Sequence, residues 1–224
     1  MIIYDIETIR PVRPRDPAEI LPGIEYADDW QDYRGMGIAC ICAYDTEADR
    51  FRVFGGYDGA RLPFTGTSPD TTGSDLERFA AFAANRQVIG WNNRRFDDPL
   101  LAAHGIDVLG SWDIKAALMQ AGCGGQRGNS LEAFAAANLT GAGKSMTGAM
   151  APVWWQRGQR ERVIDYCLQD ANLTRRLLDR LRQKGELISP IDGRPIRPTI
   201  PLTILHAIQH ADAWPSKEPQ PCRA

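Results

Sequence analysis

The chain has 224 residues, 43% of them hydrophobic and 24% charged, which suffices for one substantial core and excludes a mainly disordered protein. A net charge of −2 and a pI near 5.9 exclude a uniformly basic nucleic-acid coat, while leaving room for a local basic patch or phosphate contacts bridged by metal. Five cysteines, Cys40, Cys42, Cys123, Cys167 and Cys222, are odd in number and form no C-x-x-C pair, so they read as reduced thiols. With no leader-like start and no apolar run of membrane-spanning length, the expectation is a soluble, cytoplasmic protein without membrane contact.

Residues 1–7, Met-Ile-Ile-Tyr-Asp-Ile-Glu, open as a strand on which Asp5 and Glu7, two apart, point to one face. Neighbouring carboxylates repel, so a buried pair needs a proton or a cation, and a hard divalent ion such as Mg²⁺ suits oxygen ligands best. The bland alternative is an edge strand with two solvated acids. Residues 9–35 carry Pro11, Pro14, Pro17 and Pro22 and are expected as an irregular excursion. Strands are predicted over 37–44 and 50–54, a hairpin that makes three adjacent strands with residues 2–6.

A surface loop is expected over 55–73, followed by a helix over 76–85 capped by Ser74 or Asp75. A strand over 88–91, a helix from Asp97 to near Gly105 and a short strand at 108–109 come next. Helices are predicted over 113–120, 130–138 and 161–184, the last ended by Gly185 as the C′ residue, with mobile linkers at 122–128 and 141–148. Beyond 185, seven prolines and a single short apolar run predict a tail or docking arm. The sum is an α/β fold, a mixed sheet flanked by helices, with one domain over 1–185 and a proline-rich C-terminal tail over 186–224.

Further acids occur where they can return to the first strand. Asp97 heads a helix just after a strand, where open α/β sheets place ligand-binding residues, although a first-turn charge explains it equally well. Tyr166 and Asp170 stand four apart on a helix and so share a face. Lys144 lies in a Gly-Ala-Gly-Lys-Ser stretch that does not meet P-loop spacing, and His206 and His210 read as a surface pair.

In this order and with these neighbours, residues 1–184 resemble the DEDD superfamily of 3′-to-5′ exonucleases. Its first motif, D-x-E, matches Asp5-Ile6-Glu7. The form G-aromatic-N-x-x-x-F-D-x-P-x-L, seen in proofreading domains of B-family polymerases, matches Gly90-Trp91-Asn92 through Phe96-Asp97 and Pro99 to Leu101. The third motif, Y-x-x-x-D, matches Tyr166 and Asp170; the sister subclass has a histidine where this chain has Asp165, which indicates the tyrosine subclass.

The resemblance implies a ribonuclease-H-like fold and a stand-alone enzyme that hydrolyses phosphodiester bonds from the 3′ ends of single-stranded DNA or RNA, DNA favoured. It implies two divalent ions, Mg²⁺ or Mn²⁺, with Asp5 bridging both, Glu7 and Asp170 holding the ion that activates water, Asp97 serving the leaving-group ion and Tyr166 orienting the water. Glu7, Thr8 and Asn92 are the expected contacts to the terminal nucleotide. Trp91, and Trp154 and Trp155 in a predicted loop, are candidate stacking surfaces for bases, against partly core positions as the alternative. Arg94 and Arg95, with Arg157, Arg160 and Arg162, are candidate phosphate contacts or ordinary solvated charges. Two other functions compete: an idle nucleic-acid-binding module, and a phosphatase acting on nucleotides.

Overall fold

Alternation in strand β1 (Ile2–Thr8) sends Ile2, Tyr4 and Ile6 to one face and Ile3, Asp5 and Glu7 to the other. The computed structural model describes residues 1–55, 75–108, 110–123, 128–141 and 148–209. Strand β2 (Ile38–Asp45) runs antiparallel to β1, placing Cys42 opposite Asp5 and Cys40 opposite Glu7, and β3 (Arg50–Phe54) pairs antiparallel with β2. On the other side of β1, β4 (Val88–Gly90) and β5 (Trp112–Asp113) are added in parallel, giving the order β3-β2-β1-β4-β5 with only β2 reversed. This is an α/β fold, a mixed five-stranded sheet flanked by helices.

Helices α1 (Tyr33–Met36), α2 (Asp75–Ala83) and α3 (Asp97–Ala103) pack on the face of Ile2, Tyr4 and Ile6, where Phe79, Leu100 and Leu101 are fully buried. Helices α4 (Ile114–Gln120), α5 (Leu131–Asn138), α6 (Ala151–Gln156) and α7 (Arg160–Lys184) cover the opposite face. Along α7, Val163, Cys167, Asp170, Leu173, Leu177 and Leu181 recur at helical spacing and are all buried. Gly185, at φ 70°, ends that helix by donating its N–H to the Leu181 carbonyl at 2.8 Å, as its C′ position requires.

One expectation is extended and three are corrected. The excursion over 9–35 is irregular, as expected, and it is also anchored: Gln156 of α6 donates to the carbonyls of Ile9 (3.0 Å) and Glu25 (2.9 Å) and accepts the Glu25 N–H (2.8 Å). Val12 and Ala27 form a parallel bridge within it. Val108 is not in a strand; the sheet edge is instead Trp112–Asp113, which follows a turn at Gly110 (φ 64°). Trp154 and Trp155 lie in α6, not in a loop, with Pro152 in the first turn where its missing N–H costs nothing.

The third correction concerns the tail. Strands β6 (Leu187–Ile188) and β7 (Pro195–Ile196) form a hairpin, followed by α8 (Leu202–Gln209), and Leu187, Ile196 and Ile204 are buried in the core of α5 and α7. Asn138 ties the hairpin down, accepting the Ile188 N–H at 2.7 Å and donating to its carbonyl at 2.9 Å. The predicted loop from residue 56 to 73, the linker residues 124–127 and 142–147 with Lys144, the last residues from His210 and the His206 side chain lie outside the described residues. No helix among the described residues is long and apolar enough to cross a membrane.

Candidate active site

The register that buries Ile3 also turns Asp5 and Glu7 toward α7, whose Asp170 faces them. Asp5, Glu7 and Asp170 each bring a carboxylate oxygen within 4.8 Å of the other two. Asp97, buried in the first turn of α3, borders this trio, since its charge acts on both Asp5 and Glu7 and the Ile6 backbone bonds its carboxylate. All four predicted acids therefore converge at the C-terminal end of β1. Asp98 is turned away: it accepts from Tyr4 Oη, Asn93 Nδ2 and Ser111 Oγ, a network that fixes the turn after β4.

Burial pushes every one of these carboxyls upward, and charge on neighbouring acidic or thiol groups adds to it. Asp5 is raised well above its ordinary range by burial and then by Asp170, Asp97 and Glu7, and Glu7 likewise by burial, Cys40, Asp170 and Asp97. Asp97 rises to about 8, through burial and the neighbouring Asp98. Asp170 rises to about 7 through burial, although the hydrogen bond from Tyr166 pulls the other way. The Tyr166 phenol is itself driven up by burial and by Asp170 and Glu7, so it stays protonated and donates to Asp170.

No lysine or arginine among the described residues makes an ion pair with the four acids. Asp170 Oδ1 is buried and has no hydrogen-bond partner. An all-oxygen donor set, crowded with negative charge and holding an orphaned oxygen, fits a hard divalent cation such as Mg²⁺ or Mn²⁺.

A cavity of about 450 Å³ opens beside Glu7 and is lined by Thr8, Asn92, Phe96, Trp30, Gly148 and Pro152, among others. Thr8 and Asn92 thus share one cavity wall with Glu7. Asn92 adopts a left-handed backbone (φ 65°), and its N–H donates to Asp113 Oδ1 at 3.0 Å, the same oxygen that caps α4 through Ala116. Gly90 is required here, since a Cβ would meet the Asn93 side chain at 2.6 Å.

The three predicted stacking tryptophans do not line this cavity. Trp91 packs on Phe134 at 5.2 Å, Trp155 is core, and Trp154 lies under the Arg162 guanidinium at 3.9 Å. Each tryptophan is claimed by a helix face that the motif spacing does not reveal. Arg95 is exposed and outside the cavity lining, and its carbonyl accepts from Tyr33 Oη. Three residues went unforeseen: Trp30, 69% exposed and edge-on to Phe96 at 6.5 Å; Asp113, which sets the Asn92 turn; and Gly148, where a Cβ would meet Tyr166 Oη at 2.9 Å. No known protein-family model and no curated protein matches this sequence.

Proposed function

We propose that this chain is a metal-dependent 3′-to-5′ exonuclease of the tyrosine subclass of the DEDD superfamily, with a ribonuclease-H-like fold, acting on single-stranded nucleic acid and on DNA in preference to RNA. One observation carries the reading: carboxylates from β1 and α7, far apart in sequence, meet at one point with Asp97 of α3 beside them, and no cationic side chain among the described residues balances them. The mixed sheet with helices on both faces supports the fold assignment.

Asp5, Glu7, Asp97 and Asp170 would hold two divalent ions. Such ions, when bound, lower the pKa of a water and neutralise charge that builds on the phosphate and the leaving oxygen. The chain's own groups do the rest. Tyr166, protonated and bonded to Asp170, holds that carboxylate in place and offers its hydroxyl to the attacking water. Glu7, Thr8 and Asn92, on the cavity wall, receive the terminal nucleotide, and the Trp30–Phe96 pair gives its base an aromatic surface.

The test uses metal-stripped protein, Mn²⁺ and a 5′-labelled single strand, with matched duplex DNA and RNA. Stepwise shortening from the 3′ end, fastest on single-stranded DNA and lost in Asp5→Ala, is expected. Release of inorganic phosphate alone, or binding without cleavage, overturns the reading in favour of a phosphatase or an idle binding module.

A further inference from the structure

Beside the acids, on the same sheet face, lies a second cluster of a different chemical kind. Cys40 and Cys42 pair in register with Glu7 and Asp5, and Cys167 comes down on them from α7, one turn before Asp170. The three sulfur atoms lie within 4.8 Å of one another, and all three residues are fully buried. Buried cysteines commonly pack as small apolar side chains. These three are set apart by convergence: two elements more than a hundred residues apart in sequence present three thiols to a single point.

The geometry points to a binding site for a thiophilic divalent cation of the zinc class, held by Cys40, Cys42 and Cys167. Thiolates bound at about 2.3 Å around zinc stand roughly 4 Å apart, so the sulfurs need to draw in by less than about 1 Å. Soft sulfur donors select Zn²⁺ or Cd²⁺ over the Mg²⁺ or Mn²⁺ that suits the neighbouring oxygens. A fourth donor is at hand in the carbonyl of Asp5, which accepts the Cys167 thiol proton at a sulfur–oxygen distance of 3.3 Å. Binding releases the three thiol protons to solvent, leaves three thiolates around one divalent ion, and involves no oxidation.

The ion ties α7 to β2 and so holds Asp170 over Asp5. Its role is structural, and the site does not depend on the nuclease reading. Because no thiol of the three is exposed, loading occurs while α7 is off the sheet, during folding or transient opening.

The test refolds the reduced full chain from denaturant with one equivalent of Cd²⁺ and excess Mg²⁺, removes free metal, and records the thiolate-to-cadmium ultraviolet absorption and the thermal midpoint. Expected are one retained cadmium per chain, thiolate absorption, and a midpoint raised by about 5 °C or more over the cadmium-free protein. Cys42→Ser and Cys167→Ser lose the absorption; Cys123→Ser, a buried cysteine elsewhere, and Asp5→Asn/Asp170→Asn, which dismantles the acid cluster, keep it. Wild-type protein that refolds without retaining cadmium overturns the proposal, whatever the variants do. So does loss of the absorption in the Asp5→Asn/Asp170→Asn protein, which would place the ion among the carboxylates.

Discussion

Buried carboxylates occur at both ends of the central strand pair, and the two ends treat them oppositely. Asp45, paired across from Ile2, is met by Arg86 at 2.5 Å and Arg52 at 3.5 Å; burial alone would raise its pKa, but the Arg86 hydrogen bond and charge bring it below the ordinary value. Both guanidiniums lie against the Phe82 ring, which orients them. At the far end, Asp5, Glu7, Asp97 and Asp170 have no such partner among the described residues, and all are raised. The same sheet that neutralises one acid with two arginines leaves four acids for protons or an external cation to satisfy.

The sharpest way to break this contrast is to neutralise one acid at each end. Asp5→Asn or Asp170→Asn should lower 3′-end degradation by about a hundredfold or more, because lost metal charge stabilisation amounts to several kcal/mol. The metal-free variant should be no less stable than the wild type, since repulsion is relieved. Asp45→Asn should do the reverse. It leaves Arg86 and Arg52 short of a partner and costs about 1–2 kcal/mol in denaturant unfolding, while the folded fraction degrades DNA at the normal rate. An active Asp5→Asn protein sinks the metal reading of the acid end.

Stability against pH separates the two ends next. The raised carboxyls keep their protons in the folded protein to higher pH than in the unfolded chain, where the ordinary value is 3.8, so folding takes up protons in between. Metal-free protein should therefore be most stable on the acid side of this window. It should lose stability as pH rises from 3.8 through about 7, for Asp170, and about 8, for Asp97. Asp45, lowered, works the other way and is spent below 3.8. Thermal melts from pH 5 to 8.5 should fall without metal and flatten with Mn²⁺; identical slopes with and without Mn²⁺ would contradict the idea.

How much of this was readable beforehand follows from where each residue's position is decided. Asp5 and Glu7 were legible because a period of two on a strand fixes their face, and Tyr166 and Asp170 because a spacing of four fixes theirs. Asp97 needed the motif around it, since a helix head attracts acids anyway. Trp30 was not legible: the excursion has no periodicity and is placed by Gln156, more than a hundred residues away. The thiol trio was hidden for a similar reason, because strand register and helix docking, not spacing, bring Cys167 to Cys40 and Cys42. The C-terminal hairpin was misjudged because proline count says nothing about Asn138, whose side chain closes it onto α5.

A smaller effect tests how closely Tyr166 must be held. Gly148→Ala would press a methyl group to within 2.9 Å of the Tyr166 hydroxyl, so that either the ring or the Gly148 backbone shifts and the hydroxyl is displaced relative to the cavity wall. We expect about a tenfold loss of kcat, similar to Tyr166→Phe, corresponding to ~1.4 kcal/mol of transition-state stabilisation. Combining the two should add little, since each disturbs the same hydroxyl. Additive losses would mean that Gly148 acts through something other than Tyr166.

The smallest effect belongs to Trp30. Its indole is 69% exposed and edge-on to Phe96, at the mouth of the cavity that begins at Glu7. An aromatic plane held there by an anchored excursion can take a base by stacking, which contributes ~1–3 kcal/mol per base in single-strand binders, with the lower end expected for so open a site. Stacking on the ground-state substrate persists unchanged through hydrolysis, so Trp30→Ala should raise KM about fivefold and leave kcat alone. Trp30→Phe should restore most of the loss because it keeps a π-face, whereas Trp30→Leu, apolar but not aromatic, should not. Equal rescue by leucine would reduce Trp30 to a cover over Phe96, and the terminal base would then have to find its surface elsewhere on the cavity wall.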